Sequence, residues 1–283
     1  MQYTYDYTTF GGQDGAIFGD TLFRFDHAGN CRVFSMTEKM QTGAFTLART
    51  DEWMPHSNAV GFGIPTPDEP FPPLYTNVYN TYAKADDRRE GCLCVYRLFQ
   101  QENVSRCGED YTATLVQVIR IGFTEDRDLW KSLDGNGDTR PYGNFCVDGQ
   151  RGKLYAFVMR DKEHVTRYFT FDLPATTDGE EVDGVRYVTL GREDIRDTFD
   201  GPYMNYMQGA CCRDGVIVSV EGFGMTAPNL PALRVIDMTA RKETRFVPLH
   251  EYGLTVEPEF ADYWNDTLIY SDATGKLYRI EEL

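Results

Sequence analysis

The side chains able to do chemistry recur at one kind of place. Gln13-Asp14, His56-Ser57-Asn58, Tyr142-Gly143-Asn144, Met207-Gln208 and Glu257-Pro258-Glu259 each open a short apolar run. Two carboxylates such as Asp14 and Glu259 can divide acid and base roles in glycoside cleavage, with His56 assisting. Glu221 and Glu257 are further carboxylates of that type. Amides and carboxylates that converge in a concavity also suit a small polar ligand that is only bound. A Cys–His nucleophile would need His56 to meet Cys146, Cys211 or Cys212; buried structural thiols are the plainer reading.

Other motifs fail on inspection. DGNGD at 134–138 begins like a calcium loop, but Thr139 and Phe145 stand where that loop needs Gly and Glu. It reads as a turn. YSDATGKLY at 270–278 reads as a hairpin turn. G-x-S-x-G, a P-loop and a dinucleotide fingerprint are absent from the sequence. His56 with Glu257 or Glu259 has no metal-ligand spacing, so neither a metal nor a cofactor is expected.

Bulk properties narrow the partners. The 283 residues include 28 Lys and Arg against 44 Asp and Glu, a net charge of −16. Nucleic-acid backbones and anionic membrane surfaces need the opposite sign. The N-terminus lacks a basic start and an apolar h-region, and the seven cysteines show no zinc spacing. The expected location is therefore the cytoplasm, or the exterior for a chain whose signal has been removed.

The elements that must position these residues form a repeat. Five segments share a small-residue strand, a turn, a second strand and a third. They open at QDGAIFG (13), SNAVGFG (57), YGNFCVDG (142), QGACCRDG (208) and EPEFADYW (257). Four of them carry a further run: GAFTLAR, TATLVQVIRIGF, RYVTL and TRFVPL. The fifth stops after three strands, while QYTYDYT at the N-terminus is a spare strand. The expected fold is all-β: a single five-bladed β-propeller over 1–283, with blades at about 13–50, 57–123, 142–191, 208–249 and 257–283 plus residues 2–8. Short helical turns are expected near 125–133 and 192–199.

In this geometry the first strand of each blade lines a central channel. The opening residues Gln13, Asp14, His56, Asn58, Tyr142, Asn144, Gln208, Glu257 and Glu259 would ring its upper mouth. Trp53, Tyr79, Tyr82, Tyr203, Tyr206 and Phe223 would offer stacking faces beside it, on loops that include 78–91 and 222–231. The chain resembles the five-bladed propeller glycosidases. It also resembles bacterial propeller proteins of unassigned activity whose blades open with QGA-type segments. The glycosidase resemblance implies acidic residues from three blades at the mouth, with Asp14 at the first position. Here blade two offers His56-Ser57-Asn58 and blade three Asn144, so that acidic set is incomplete.

The leading expectation is a non-catalytic propeller that binds a small polar molecule, with a sugar as one candidate. The alternatives are a carbohydrate-active hydrolase or lyase and a protein-interaction scaffold. The scaffold would use GIPTPDEPFPP (63–73), a proline-rich loop expected on the lower face.

Overall fold

Alternating apolar residues, broken by glycine- and aspartate-bearing turns, make strands along the whole chain. The computed structural model describes residues 1–53, 55–78, 91–103, 108–122, 144–160 and 164–283. Strand β1 (Gln2–Thr8) precedes the first blade. Blade 1 is β2 (Gly15–Phe18), β3 (Thr21–Phe25), β4 (Asn30–Ser35) and β5 (Met40–Thr46). Blade 2 is β6 (Pro55–Phe62), β7 (Leu74–Val78), β8 (Cys92–Asn103) and β9 (Gly108–Ile121). Blade 3 begins β10 (Phe145–Asp148), β11 (Lys153–Arg160) and β12 (Val165–Asp172). A hairpin, β13 (Glu180–Val182) and β14 (Val185–Leu190), comes before its last strand, β15 (Asp197–Pro202).

Blade 4 is β16 (Met207–Arg213), β17 (Val216–Glu221), β18 (Ala232–Asp237) and β19 (Lys242–Pro248). Blade 5 is β20 (Pro258–Trp264), β21 (Thr267–Asp272) and β22 (Lys276–Glu282), completed by β1. The chain is a five-bladed β-propeller. β1 pairs antiparallel with β22, Tyr3 opposite Ile280 and Tyr5 opposite Tyr278, so the two ends of the chain close the ring.

The structure corrects blade 3 in one respect. RYVTL at 186–190 is a strand, but it does not finish that blade. β14 runs parallel to β9 and extends blade 2 to six strands. β9 would otherwise present a long open edge, and Gln117 holds the returning loop by donating from Nε2 to the carbonyls of Ala175 (2.7 Å) and Asp178 (3.2 Å). The outer place in blade 3 goes to β15, where Arg167 grips Asp200 with Nε (2.5 Å) and Nη2 (2.7 Å). The helical turn expected over 192–199 shrinks to a 3-10 turn at Arg192–Asp194, because residues from Asp197 onward are needed as strand. The turn expected near 125–133 and the DGNGD segment lie outside the described residues.

The core lies in the layers between blades. Between blades 1 and 2, Phe23 sits edge-on to Phe45, Phe62, Phe71 and Tyr111 at ring separations of 5.1 to 6.3 Å. Phe23→Ala would leave a void there that flat packed strands cannot close. A loss of about 3–5 kcal/mol is expected in urea unfolding, and a loss under about 1 kcal/mol would mean the layer collapses freely. Near the axis, backbones approach closely. A Cβ on Gly209 would come within 2.7 Å of the Glu259 carbonyl and 2.9 Å of Asp14 Oδ1. Among the described residues no helix is long and apolar enough to cross a membrane.

Candidate functional site

Inner strands β2, β6, β10, β16 and β20 run side by side from one face to the other, so their first residues meet at the upper mouth. The structure brings some of the expected residues into contact and turns others into their own blades.

Asp14 is fully buried (0% exposed). Its backbone N–H donates to the Ser57 carbonyl (3.0 Å), and its Oδ2 accepts from the Val60 N–H (3.0 Å), which ties blade 1 to blade 2. Its Oδ1 has no protein partner. Burial pushes the carboxyl well above the ordinary range, against the pull of two backbone N–H groups and Arg24. Glu259, 4% exposed, is raised to about 9 by burial first and then by Glu257 and Asp14, with Arg24 opposing. Its Oε2 likewise has no partner. Gln208 of blade 4 donates from Nε2 to Glu257 Oε1 of blade 5 at 2.5 Å. Gln13 is half-buried above Asp14, its N–H donating to the Phe25 carbonyl at 2.7 Å.

The remaining members are turned elsewhere or carry no charge. Asn58 Oδ1 accepts from Asn77 Nδ2, and Asn77 Oδ1 in turn caps the Ala59 N–H (3.2 Å), all within blade 2. Asn144 Nδ2 lies 3.8 Å from Met159 Sδ, within blade 3. Burial, helped by His27, lowers His56 to about 4, so its imidazole is neutral at physiological pH. Tyr142 lies outside the described residues, as do Tyr79, Tyr82 and nearly all of loop 78–91.

One residue of this group was not visible in the sequence pattern. Arg24, on β3 opposite Gly15, is 0% exposed. Its guanidinium lies over the Phe260 ring, 4.8 Å from the centroid. None of its three nitrogens has a protein hydrogen-bond partner. Burial lowers it to about 10, while Asp14, Glu259 and Asp272 hold it up, so it is charged at neutral pH. The sign of one charge inside the apolar run TLFRF was the only available hint.

Several other candidates have structural duties. Glu221 is buried against Arg234 (2.7 Å) and accepts from the Asn205 N–H (3.2 Å). The hairpin expected at 270–278 is present: Asp272 accepts from Thr274 N (2.9 Å) and Oγ1 (2.5 Å). The six described cysteines are free thiols, five of them buried. Burial holds the Cys146 and Cys211 thiols well above their ordinary range, which suits structural rather than nucleophilic use. No group of three or more His, Cys, Asp or Glu among the described residues is placed to hold a metal ion.

Of the aromatics, Tyr203 stacks on His164 (4.4 Å) and Trp53 leans on Tyr187 (6.2 Å). Tyr206 and Phe223 are exposed (55% and 45%), edge to face at 4.6 Å, beside the start of β16. On the lower face, residues 64–68 of the proline-rich loop are exposed, while Phe71 is sunk in the core between blades 1 and 2.

The raised Glu259 gives a signed prediction. An acid whose folded pKa of about 9 exceeds its ordinary 4.5 favours the fold in its neutral form. That stability is complete below about pH 4.5 and is lost as pH climbs through 9. Glu259→Gln should therefore match its parent near pH 5 and exceed it by a few kcal/mol near pH 8.5 in urea unfolding. An equal difference at both pH values would contradict the assigned ionisation.

No protein-family model matches the sequence, and no curated protein does. Among solved structures, the crystal structure of Myxococcus xanthus glutaminyl cyclase is similar. The likeness covers 99% of this chain and 93% of that chain, with a TM-score of 0.50 and 11% identity. At that identity the likeness is one of fold.

Proposed function

We propose that the upper mouth of the channel binds a small polar ligand, with a carbohydrate as the class its groups fit best, and does not hydrolyse it. The observation that carries this reading is a set of unpartnered polar atoms on ionisable side chains: Asp14 Oδ1 and Glu259 Oε2 at the heads of neighbouring inner strands, and the three nitrogens of Arg24 on β3 beside them. Buried polar atoms are normally satisfied, so such a set marks a place where other groups are received. Glu257 and Gln208 stand above it at half-buried positions where a ligand hydroxyl can exchange hydrogen bonds. Tyr206 and Phe223 offer apolar faces of the kind sugar rings stack on. Asp14 Oδ2 is held by the Val60 N–H and Glu221 is consumed by Arg234, so the acidic set that hydrolysis needs is not free. Six free thiols suit a reducing compartment, which favours the cytoplasm.

Calorimetric titration with a panel of mono- and disaccharides tests the reading. A saturable heat is expected, with an affinity that falls about tenfold in Gln208→Ala, since one hydrogen bond to the ligand is lost. No saturable heat for any sugar, or an unchanged affinity in the variant, would refute it.

Catalysis is the second reading, favoured by one observation: Glu259 is held in its acid form at neutral pH, as a general acid must be. Turnover of aryl glycosides that disappears in both Asp14→Asn and Glu259→Gln would favour it over simple binding.

A further inference from the structure

The opposite end of the channel holds a cavity of about 310 Å³. It lies where the inner strands finish, below Asp14 and Glu259, and the proline-rich loop contributes Gly63, Pro65 and Pro72 to its rim. Its size is at the lower end of the range for small-molecule sites, roughly 300–1,000 Å³. Its walls are about half polar and half apolar, with Ile17, Val60, Phe62 and Val147 supplying the apolar part.

Two charged side chains line it, and they are not equivalent. Arg213 is already engaged. Its Nη1 donates to the Asn265 carbonyl (2.7 Å), its Nη2 to Asp266 Oδ1 (2.8 Å), and its face lies 5.4 Å from the Tyr263 centroid. Asp262 has no such counter-charge. Its Oδ2 accepts from the Ile17 N–H (2.6 Å) and its Oδ1 from the Tyr263 N–H (2.7 Å). A carboxylate has about four acceptor positions, so two remain. No described lysine or arginine forms an ion pair with it. Burial raises it to about 7, and the only groups that offset this are those two N–H donors. A buried carboxylate without a counter-charge is costly, and a cation placed beside it removes that cost. A neutral apolar guest would leave the carboxylate desolvated, and an anion would be repelled.

We propose that this lower cavity binds a small organic cation, a primary or secondary ammonium on a compact aromatic or aliphatic body, with Asp262 as its counter-ion. The net charge of −16 raises the local concentration of such cations. The site opens at the other end of the channel from the upper mouth, and the proposal does not rest on that reading.

The test compares three probes of one shape by ligand-observed NMR and calorimetry: 2-phenylethylamine, 2-phenylethanol and 3-phenylpropionate. The amine should bind saturably, and the alcohol and the acid should bind at least about tenfold more weakly. Asp262→Asn should weaken the amine by about tenfold or more and remove its advantage over the alcohol. Gly61→Val supplies a variant that leaves every charge in place. A Cβ there meets only the Val147 side chain and backbone, at 3.6 and 3.9 Å, so the added methyls enter the cavity and should abolish binding. Gln208→Ala, at the other mouth, should leave amine binding unchanged. Equal affinity for amine and alcohol overturns the proposal, as does amine binding that survives Gly61→Val. It is also overturned if neither this amine nor cyclohexylamine binds saturably up to about 10 mM.

Discussion

Arg24→Met is expected to give a protein more stable than its parent, by roughly 1–3 kcal/mol, and to abolish the sugar binding proposed for the upper mouth. Two effects compete at this position. The guanidinium loses its hydration on burial and gains no protein hydrogen bond in return. Against that stand the attraction of Asp14, Glu259 and Asp272 and the contact with the Phe260 ring. The direction of its pKa decides which is larger. A fall from 12.5 to about 10 means that desolvation outweighs attraction, by about 3–4 kcal/mol at 1.4 kcal/mol per unit. The ring contact returns about 1 kcal/mol of that. Methionine fills similar volume without the buried charge. It also leaves Asp14 and Glu259 free to stay neutral, as burial already favours. An arginine kept for structure would give the opposite result, a loss of about 3–5 kcal/mol on truncation. Urea unfolding of the variant beside a sugar titration separates the two cases.

Removal of residues 1–8 is expected to abolish the folded monomer. β1 is the outer strand of blade 5, and without it β22 becomes an open edge. The strand also carries contacts into blade 1. Tyr7 is buried with Leu22, Phe34 and Met36, and its Oη donates to Met36 Sδ at 3.4 Å. Asp6, itself buried, pairs with Lys39 of the β4–β5 turn and with Arg279 of β22 (3.1 Å). Truncation therefore opens a sheet edge and unpairs two cations in one step. Size-exclusion chromatography should show aggregate, with cooperative unfolding lost. A monomer with an unchanged melting temperature would mean the ring does not depend on this closure.

What could be read in the sequence follows from how local each feature is. The five blade openings and the strand QYTYDYT are legible because strand alternation and turn chemistry repeat within a few residues of themselves. Asp214-Gly215 is an example: both residues take positive φ, 54° and 77°, as a two-residue hairpin loop requires. RYVTL was legible as a strand but not as a member of blade 2, since its partner depends on the exposed edge of β9 and on Gln117, more than sixty residues earlier. DTFDGP at 197–202 reads as polar and turn-like, and it becomes a strand only because β12 offers an edge.

At the candidate site, the place of Asp14 and Glu259 at the head of an inner strand is legible from the repeat. That of Arg24 is not. A single charge in TLFRF reads as a solvent-facing position on a surface strand. Strand alternation instead turns it toward blade 5, over Phe260, where Gly15 on the neighbouring strand leaves room. Asn58 and Asn144 share the register of the mouth residues, yet partners within their own blades hold them: Asn58 accepts from Asn77, and Asn144 donates toward Met159.

The most direct measurement follows the Arg24 guanidinium itself. Protein labelled with 15N arginine is titrated with the sugar panel, and the Nε–H resonance missing from the Arg24→Met spectrum is monitored. Ligand binding at the upper mouth should shift that resonance saturably, with the same dissociation constant that calorimetry gives. Saturable sugar binding that leaves the Arg24 resonance in place would put the ligand elsewhere and contradict the assignment of the upper mouth.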